Sequence, residues 1–235
     1  MGGYGGEETA AEEAELVCFG GDDRCCGLRL GALVLRLYRD GVLLSASRVT
    51  VETLPRILLQ NILVNGPEML AVTVGLVWMG RERFAQEMGL TIPGKKRFAL
   101  LTALVLCLLP LALALLFSGS EPLAIGYQWG YYLLIIAFTE ELMFRGLLPY
   151  LMEKSGLSGW AVWIIPGVLF ACMHTLMPMI QNGFTVRGLV FRLLSVLGGY
   201  TAGHCGFYAL RRWSGTLWLP VLIHGLLDFS SVFIT

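Results

Sequence analysis

The sequence predicts an all-α integral membrane protein, a polytopic bundle of about six spanning helices with polar residues in its interior. Three observations support this fold class. Hydrophobic residues make up 56% of the 235 residues and charged residues only 14%, whereas a soluble domain has about 25% charged residues. The mean hydropathy is +0.69. The apolar residues also collect in windows of about 20 residues, the length that a helix needs to cross a bilayer.

Six apolar windows define the predicted helices in chain order. The first, 57–79, is the weakest, because polar and helix-breaking residues at 65–68 interrupt it. The second, 98–117, contains no charged residue and is the clearest. Each remaining window contains at least one ionisable side chain, and these windows cover 124–150, 160–180, 188–210 and 213–234.

The N-terminal region, residues 1–54, differs from the membrane-embedded domain predicted for residues 55–235. Residues 1–27 are rich in Gly and Glu, so this region is predicted to be partly disordered. Farther on, Asp40-Gly41 is a favoured turn between two apolar runs, which predicts a β-hairpin. An amphipathic helix lying at the membrane interface is the alternative interpretation.

Charge also indicates location and partners. Lysine and arginine concentrate in the loops after the first, third and fifth windows, and basic loops usually stay in the cytoplasm. The short loops favour a bacterial protein, so we expect it in the cytoplasmic membrane of a bacterium. Its expected partners there include membrane lipid. The formal net charge is zero, so nothing indicates a nucleic-acid partner. The chain ends at Thr235, soon after the last window's polar residues, which is compatible with a missing C-terminal segment.

Several ionisable residues lie inside the predicted spans, where a charge is costly. Each costs about 2.5–3.5 kcal/mol on insertion scales, so such residues normally face one another or a wet cavity and mark functional sites. The residues are Glu140, Glu141, Arg145, His174, His224 and Asp228.

Glu141 and Arg145 are predicted to form a supporting ion pair. They are four residues apart, with the acid N-terminal, which is the favourable order in a helix. Arginine stays charged when buried and therefore needs a carboxylate. Adjacent helical residues point about 100° apart, so Glu140 cannot share this direction. We therefore expect Glu140 to face a partner on another helix.

His174, His224 and Asp228 are the expected partners. His224 and Asp228 share one helix face through their four-residue spacing, and His174 lies in a different window. Each motif alone is more typical of a structural hydrogen bond. Together they place acids and bases on three helices, as in the interior sites of helical bundles. His204 is instead interpreted as a packing or interfacial residue near the basic end of its window.

The motifs Glu-Glu-x-x-x-Arg (140–145), Phe-x-x-x-His (170–174) and His-x-x-x-Asp (224–228) follow one another on successive windows. Together they resemble the CAAX-processing and bacteriocin-processing family of intramembrane proteases, from about residue 126 to the C-terminus. The resemblance implies an intramembrane endopeptidase that hydrolyses a peptide bond of a lipidated protein or a membrane-associated peptide.

The resemblance also implies residue roles. Glu140 would be the general base, His174 would help to hold the attacking water, and His224 and Asp228 would stabilise the oxyanion. Family members are described either as using directly activated water without a cofactor or as using a divalent metal such as zinc, which these four residues would bind. The commoner family residue at position 228 is Asn, and an ionised Asp cannot donate a hydrogen bond. Asp228 would therefore be protonated, orient His224 or bind metal.

Two other classes of function fit the same residues. A proton- or ion-coupled transporter also uses intramembrane acids and histidines as relays, although the sequence shows no internal repeat of the kind many transporters have. A non-catalytic membrane protein, such as a bacteriocin-immunity or scaffold protein, would keep the fold without the reaction.

Overall fold

The computed structural model describes Thr50 and residues 52–92, 94–157, 159–182 and 185–234. Within these residues the regular structure is entirely helical, which confirms the all-α class. The predicted N-terminal hairpin or interfacial helix lies outside the described residues.

The first part of the described chain contains three helices. Helix α1 spans Leu54–Met79, α2 spans Arg81–Glu87, and α3 spans Arg97–Phe117 after a short 3₁₀ turn at Gly94–Lys96. Helix α1 passes through the predicted interruption at 65–68 without a break. A proline inside a helix removes one backbone hydrogen bond, and a helix of 26 residues keeps most of its others.

A compound helix follows over residues 122–154. Its segments are α4 (Pro122–Gly130), a π-helical segment (Tyr131–Ala137), α5 (Phe138–Glu141), a second π-helical segment (Leu142–Leu147) and α6 (Leu148–Lys154). Wide π turns are rare and frequently occur at functional sites. The four-residue α5, which carries both glutamates of the first motif, therefore lies between two widened turns.

The last three helices complete the bundle. Helix α7 spans Trp160–Asn182, α8 spans Val186–Ser214 and α9 spans Trp218–Ile234. Helices α7 and α8 pack along each other, while α9 packs against α3 and the π-helical segment 131–137.

Two glycines allow the closest helix approaches around the bundle interior. A Cβ atom at Gly167 would lie 3.1 Å from the Cα atom of Thr201, where α7 meets α8. A Cβ atom at Gly225 would lie 2.8 Å from Cδ1 and 3.1 Å from Cα of Leu133, where α9 meets the first π-helical segment. Since Gly225 follows His224, this contact fixes how closely that histidine approaches the compound helix.

Hydrogen bonds also fix the start of α9. The backbone N–H of Leu217 and the hydroxyl of Thr216 both donate to the carbonyl oxygen of Gly89, at 2.7 and 3.0 Å. The guanidinium of Arg211 donates to the backbone carbonyl of Arg145 in the second π-helical segment. The loop after α2, the end of α8 and the compound helix are therefore joined at one end of the bundle.

Among the described residues, α3 is the one helix long and apolar enough to cross a bilayer. It has 21 residues, a hydropathy of 2.8 over its most apolar window, and only 17% of that window is buried. Shorter apolar stretches occupy Glu68–Met79, Trp160–Thr175 and Trp218–Ser230. The predicted bundle of six spans is therefore not confirmed, because polar residues shorten the apolar stretches of the other helices.

Candidate active site

Glu141 binds two cationic or protonatable side chains at once. Its Oε1 atom lies 3.1 Å from Nη1 of Arg145 and 2.8 Å from Nδ1 of His224. Glu141 is 0% exposed and Arg145 is 1% exposed. The predicted Glu141–Arg145 pair is present, but the sequence did not indicate that the same carboxylate also holds His224.

Two aromatic rings lie close to the buried guanidinium of Arg145. Its Cζ atom lies 4.5 Å from the ring centre of Phe170 on α7 and 5.3 Å from that of Phe207 on α8. Cation–π attraction of this kind contributes up to about 2 kcal/mol in desolvated surroundings. The arginine therefore links the compound helix to both neighbouring helices.

Glu140 faces the two histidines of the other motifs. Its Oε1 atom lies 3.9 Å from Nε2 of His174, and its Oε2 atom lies 3.7 Å from Nε2 of His224. Both separations exceed a direct hydrogen bond. Within the described part of the chain, Oε2 of Glu140 has no hydrogen-bond partner although the residue is only 8% exposed.

Hydrogen bonds at the Nδ1 atoms of His174 and His224 fix the orientation of the two imidazole rings. Nδ1 of His174 lies 3.0 Å from the backbone carbonyl oxygen of Phe170, which only accepts hydrogen bonds, so this nitrogen carries the proton. Nδ1 of His224 donates in the same way to the carboxylate of Glu141. Both Nε2 atoms are consequently directed towards Glu140.

Asp228 approaches the same nitrogen of His224 as Glu140 does. Its Oδ2 atom lies 3.4 Å from Nε2 of His224. The Nδ1 side of that ring is already held by Glu141, so Glu141 rather than Asp228 sets the tautomer. The two carboxylates of Glu140 and Asp228 therefore flank one imidazole nitrogen.

A cavity of about 410 Å³ lies between the compound helix, α7, α8 and α9. Its polar lining includes Glu140, His174, His224 and Asp228. Its aromatic wall includes Tyr132, Tyr200 and Phe207, and the ring of Phe207 stacks on His224 with centroids 5.3 Å apart. These aromatic residues were not among the predicted site residues. Tyr200 and Phe207 recur at the spacing of one helix face on α8, which was the signal that could have found them.

His204 packs inside the bundle, which is one of the two predicted alternatives. It is 0% exposed and lines the same cavity. Its position on α8, four residues after Tyr200, directs it inward with the aromatic wall.

The residues predicted as metal ligands do not form a metal site in this structure. No group of three or more His, Cys, Asp or Glu side chains in the described ranges has an arrangement that could hold a metal ion. Glu140, His174, His224 and Asp228 converge, yet they do not fit a metal as they stand. The catalytic steps proposed for these residues therefore involve no metal ion.

A buried carboxylate facing two imidazoles inside a helical bundle has the residue types of a water-activating hydrolase. Residues 122–230 match the family model described as type II CAAX prenyl endopeptidase Rce1-like. This match agrees with the resemblance to the CAAX-processing proteases that the three motifs predicted. The family is one of membrane-embedded proteases. No curated protein and no solved structure matched the chain.

Proposed function

We propose that this protein is a polytopic intramembrane endopeptidase that hydrolyses a peptide bond of a lipidated or membrane-associated substrate through water activated by Glu140. The observation that carries the proposal is the position of Glu140 opposite two imidazole nitrogens, at 3.9 and 3.7 Å. These gaps are too long for direct hydrogen bonds, and a water molecule on the cavity side can hydrogen-bond to Glu140 and to an imidazole together.

The proposed reaction begins with that water. Nε2 of His174 accepts a hydrogen bond from the water, and the carboxylate of Glu140 removes its other proton. The resulting hydroxide forms a bond to the carbonyl carbon of the peptide, and the carbonyl π electrons move to oxygen. General-base catalysis of this kind typically contributes about 10²–10⁴-fold in rate.

The oxyanion is then stabilised from the side of His224. Since Nδ1 of His224 is bound to Glu141, a donor at Nε2 requires the doubly protonated imidazolium. The carboxylates of Glu141 and Asp228 lie 2.8 and 3.4 Å from that ring, and their negative charge favours the imidazolium while Glu140 carries the proton of the water. Collapse of the intermediate breaks the C–N bond, and the amine leaves with the proton from Glu140.

A membrane location of the whole bundle agrees with its outer surface. Large apolar side chains are strongly exposed on α1, α3 and α7, including Val77 (79%), Phe117 (79%) and Trp160 (75%). Continuous apolar surface of this kind is rare on soluble monomers. We therefore place α1, the compound helix, α7, α8 and α9 in the membrane together with α3, in the cytoplasmic membrane of a bacterium.

The test uses purified protein reconstituted in liposomes and a panel of internally quenched peptides, each with or without a prenylated cysteine near its C-terminus. Mass spectrometry of the products identifies the cleaved bond. We expect cleavage by the wild type, cleavage at least about 10²-fold slower by Glu140→Gln, and unchanged cleavage by Glu121→Gln, an exposed glutamate before α4.

Cleavage by Glu140→Gln at a rate within about threefold of the wild type would contradict the mechanism. Glu140-dependent proton uptake by the liposomes, without cleavage of any peptide, would support a transporter instead. Preference for the prenylated peptides would identify lipidated proteins as the substrate class, and cleavage of both forms at one rate would point to peptide recognition alone.

A further inference from the structure

A groove of about 570 Å³ lies between α3 and α9 and shares no lining residue with the cavity that holds Glu140. Among the described residues that line this groove, Arg97 at the start of α3 is the one charged side chain. The other lining residues are all apolar or aromatic: Ile92, Leu100, Leu101, Leu104, Trp218 and Leu222. The groove is therefore a second candidate binding site, here called the α3–α9 groove.

The groove follows one face of α3. Arg97, Leu101 and Leu104 recur at helical spacing, so they lie one above another along that face. Seven residues of helix rise about 10 Å, so an apolar wall of this length extends from the charged end. Leu101 is 59% exposed and Leu104 is 39% exposed. An occupant of the groove must therefore combine an apolar chain with a head group that suits a cation.

A second cation and an exposed tryptophan lie beside the charged end. Nζ of Lys96 is 3.9 Å from the ring centre of Trp213, which is 57% exposed at the end of α8. Tryptophan and basic residues concentrate where lipid head groups meet water. Arg97 forms no ion pair with a carboxylate in the described part of the chain. Its positive charge is thus available to an anionic head group.

We propose that the α3–α9 groove binds one anionic phospholipid of the cytoplasmic leaflet. The phosphate lies at Arg97 and Lys96, and an acyl chain lies along Leu101 and Leu104. A guanidinium can give a phosphate two parallel hydrogen bonds. Both cations belong to a loop predicted to be cytoplasmic, and the cytoplasmic leaflet carries anionic lipid. The inference rests on the proposed location of the bundle in the membrane and is independent of the peptidase reaction.

One wall of the groove also contacts the compound helix. The ring of Trp218 stacks on that of Phe138 with centroids 5.5 Å apart, and Phe138 begins the segment that ends at Glu141. Nε1 of Trp218 donates to the carbonyl oxygen of Leu90 at 2.9 Å. An acyl chain against Trp218 therefore packs on a residue that joins α9 to the compound helix, and we expect the bound lipid to stabilise the fold.

The first experiment identifies the lipid. Protein in phosphatidylcholine liposomes receives a trace of phosphatidylglycerol or of phosphatidylcholine, each with a photoactivatable group on one acyl chain. Adducts are mapped by mass spectrometry after irradiation. We expect phosphatidylglycerol to label residues 100–104 and 218–222 at least about fivefold more than phosphatidylcholine does. Equal labelling by the two lipids, or adducts spread evenly over the outer surface, would overturn the site.

The second experiment removes the charge. Arg97→Gln should lower the preference for phosphatidylglycerol about fivefold, the contribution of one basic residue near an anionic surface. The matched control is Arg81→Gln, since Arg81 is exposed, belongs to the same basic loop and does not line the groove. Equal losses in the two variants would indicate general attraction to the membrane surface and would overturn the site.

Thermal unfolding in detergent tests the stabilising effect of the lipid. Added phosphatidylglycerol should raise the unfolding temperature of the wild type and of Arg81→Gln, and raise that of Arg97→Gln less, because a ligand stabilises the state that binds it. Equal rises in all three proteins would contradict binding at Arg97.

The third experiment fills the groove. Leu101→Trp should lower labelling of residues 218–222 on α9, while Leu106→Trp should leave it unchanged. Leu106 is 49% exposed on the same helix and does not line the groove. Unchanged labelling in Leu101→Trp would overturn the position of the acyl chain.

Two other occupants would give different results. Displacement of the labelled lipid by a prenylated peptide, but not by unlabelled phosphatidylglycerol, would assign the groove to a substrate's lipid tail. Cross-links between two copies of the chain from a photoactivatable residue at position 101 would assign it to a dimer contact. Either result would overturn the phospholipid site.

Cleavage of the quenched peptides in phosphatidylcholine liposomes keeps this proposal separate from the proposed function. Glu140-dependent cleavage without selective lipid labelling would contradict the lipid site alone. Selective labelling that depends on Arg97, without cleavage of any peptide, would support the lipid site and count against the peptidase.

Discussion

Oε1 of Glu141 lies 2.8 Å from Nδ1 of His224 while it also lies 3.1 Å from Nη1 of Arg145. One carboxylate thereby couples the guanidinium that links three helices to the imidazole that faces Glu140. Glu141 is therefore more than the charge partner of an arginine, because it also sets the tautomer and direction of His224.

Replacement of Glu141 by Ala is expected to destabilise the protein by about 3–5 kcal/mol, because it leaves the Arg145 charge buried without its partner. Glu141→Gln should destabilise it less, since an amide oxygen still accepts from Nδ1 of His224. Thermal unfolding in detergent measures the stability of both variants. Equal stability of the Ala variant and the wild type would show that Arg145 does not depend on this carboxylate.

Replacement of Arg145 by Lys tests the contacts of its guanidinium with the rings of Phe170 and Phe207. Lysine keeps the charge but loses the planar guanidinium that contacts the rings of Phe170 and Phe207, so we expect a loss of about 1–2 kcal/mol in stability. Thermal unfolding again provides the measurement.

The matched control for that change is Arg212→Lys. The Arg212 side chain is 63% exposed and lies 3.7 Å from the exposed carboxylate of Glu153, so its replacement should change stability by no more than about 0.5 kcal/mol. Equal losses in the two variants would argue against a specific contribution from the rings.

Gly225→Ala is expected to reduce both stability and peptide cleavage. The new Cβ atom would lie 2.8 Å from Cδ1 and 3.1 Å from Cα of Leu133, so α9 must move away from the compound helix and carry His224 with it. Gly130→Ala is the control, because nothing described lies within 4 Å of its added Cβ and alanine favours a helix by about 0.5–1 kcal/mol. Full activity in Gly225→Ala would show that the position of His224 tolerates this shift.

Removal of divalent metals is expected to leave cleavage unchanged, because the described acids and histidines do not form a group that could hold a metal ion. The measurement is the cleavage rate before and after dialysis against a chelator, together with the metal content of the purified protein. Stoichiometric zinc, lost together with activity and restored with it, would contradict direct activation of water by Glu140.

The sequence predicted the helical class and the convergence of the three motifs because helix spacing and the cost of buried charge are local properties. It could not predict the π-helical segments on both sides of Phe138–Glu141, since wide turns depend on tertiary packing. For the same reason the contact between Glu141 and His224 was missed, because 83 residues separate them in the chain. The burial of His204 agrees with its predicted packing role, but nothing in its apolar window indicated that it lies beside the cavity.

The central role of Glu140 is tested most directly by steady-state cleavage in liposomes by the wild type and by Glu140→Gln, with the unfolding temperature measured on the same samples. We expect kcat to fall by at least about 10²-fold, with KM and the unfolding temperature close to those of the wild type. A kcat within about threefold of the wild type would contradict the assignment of Glu140 as the general base.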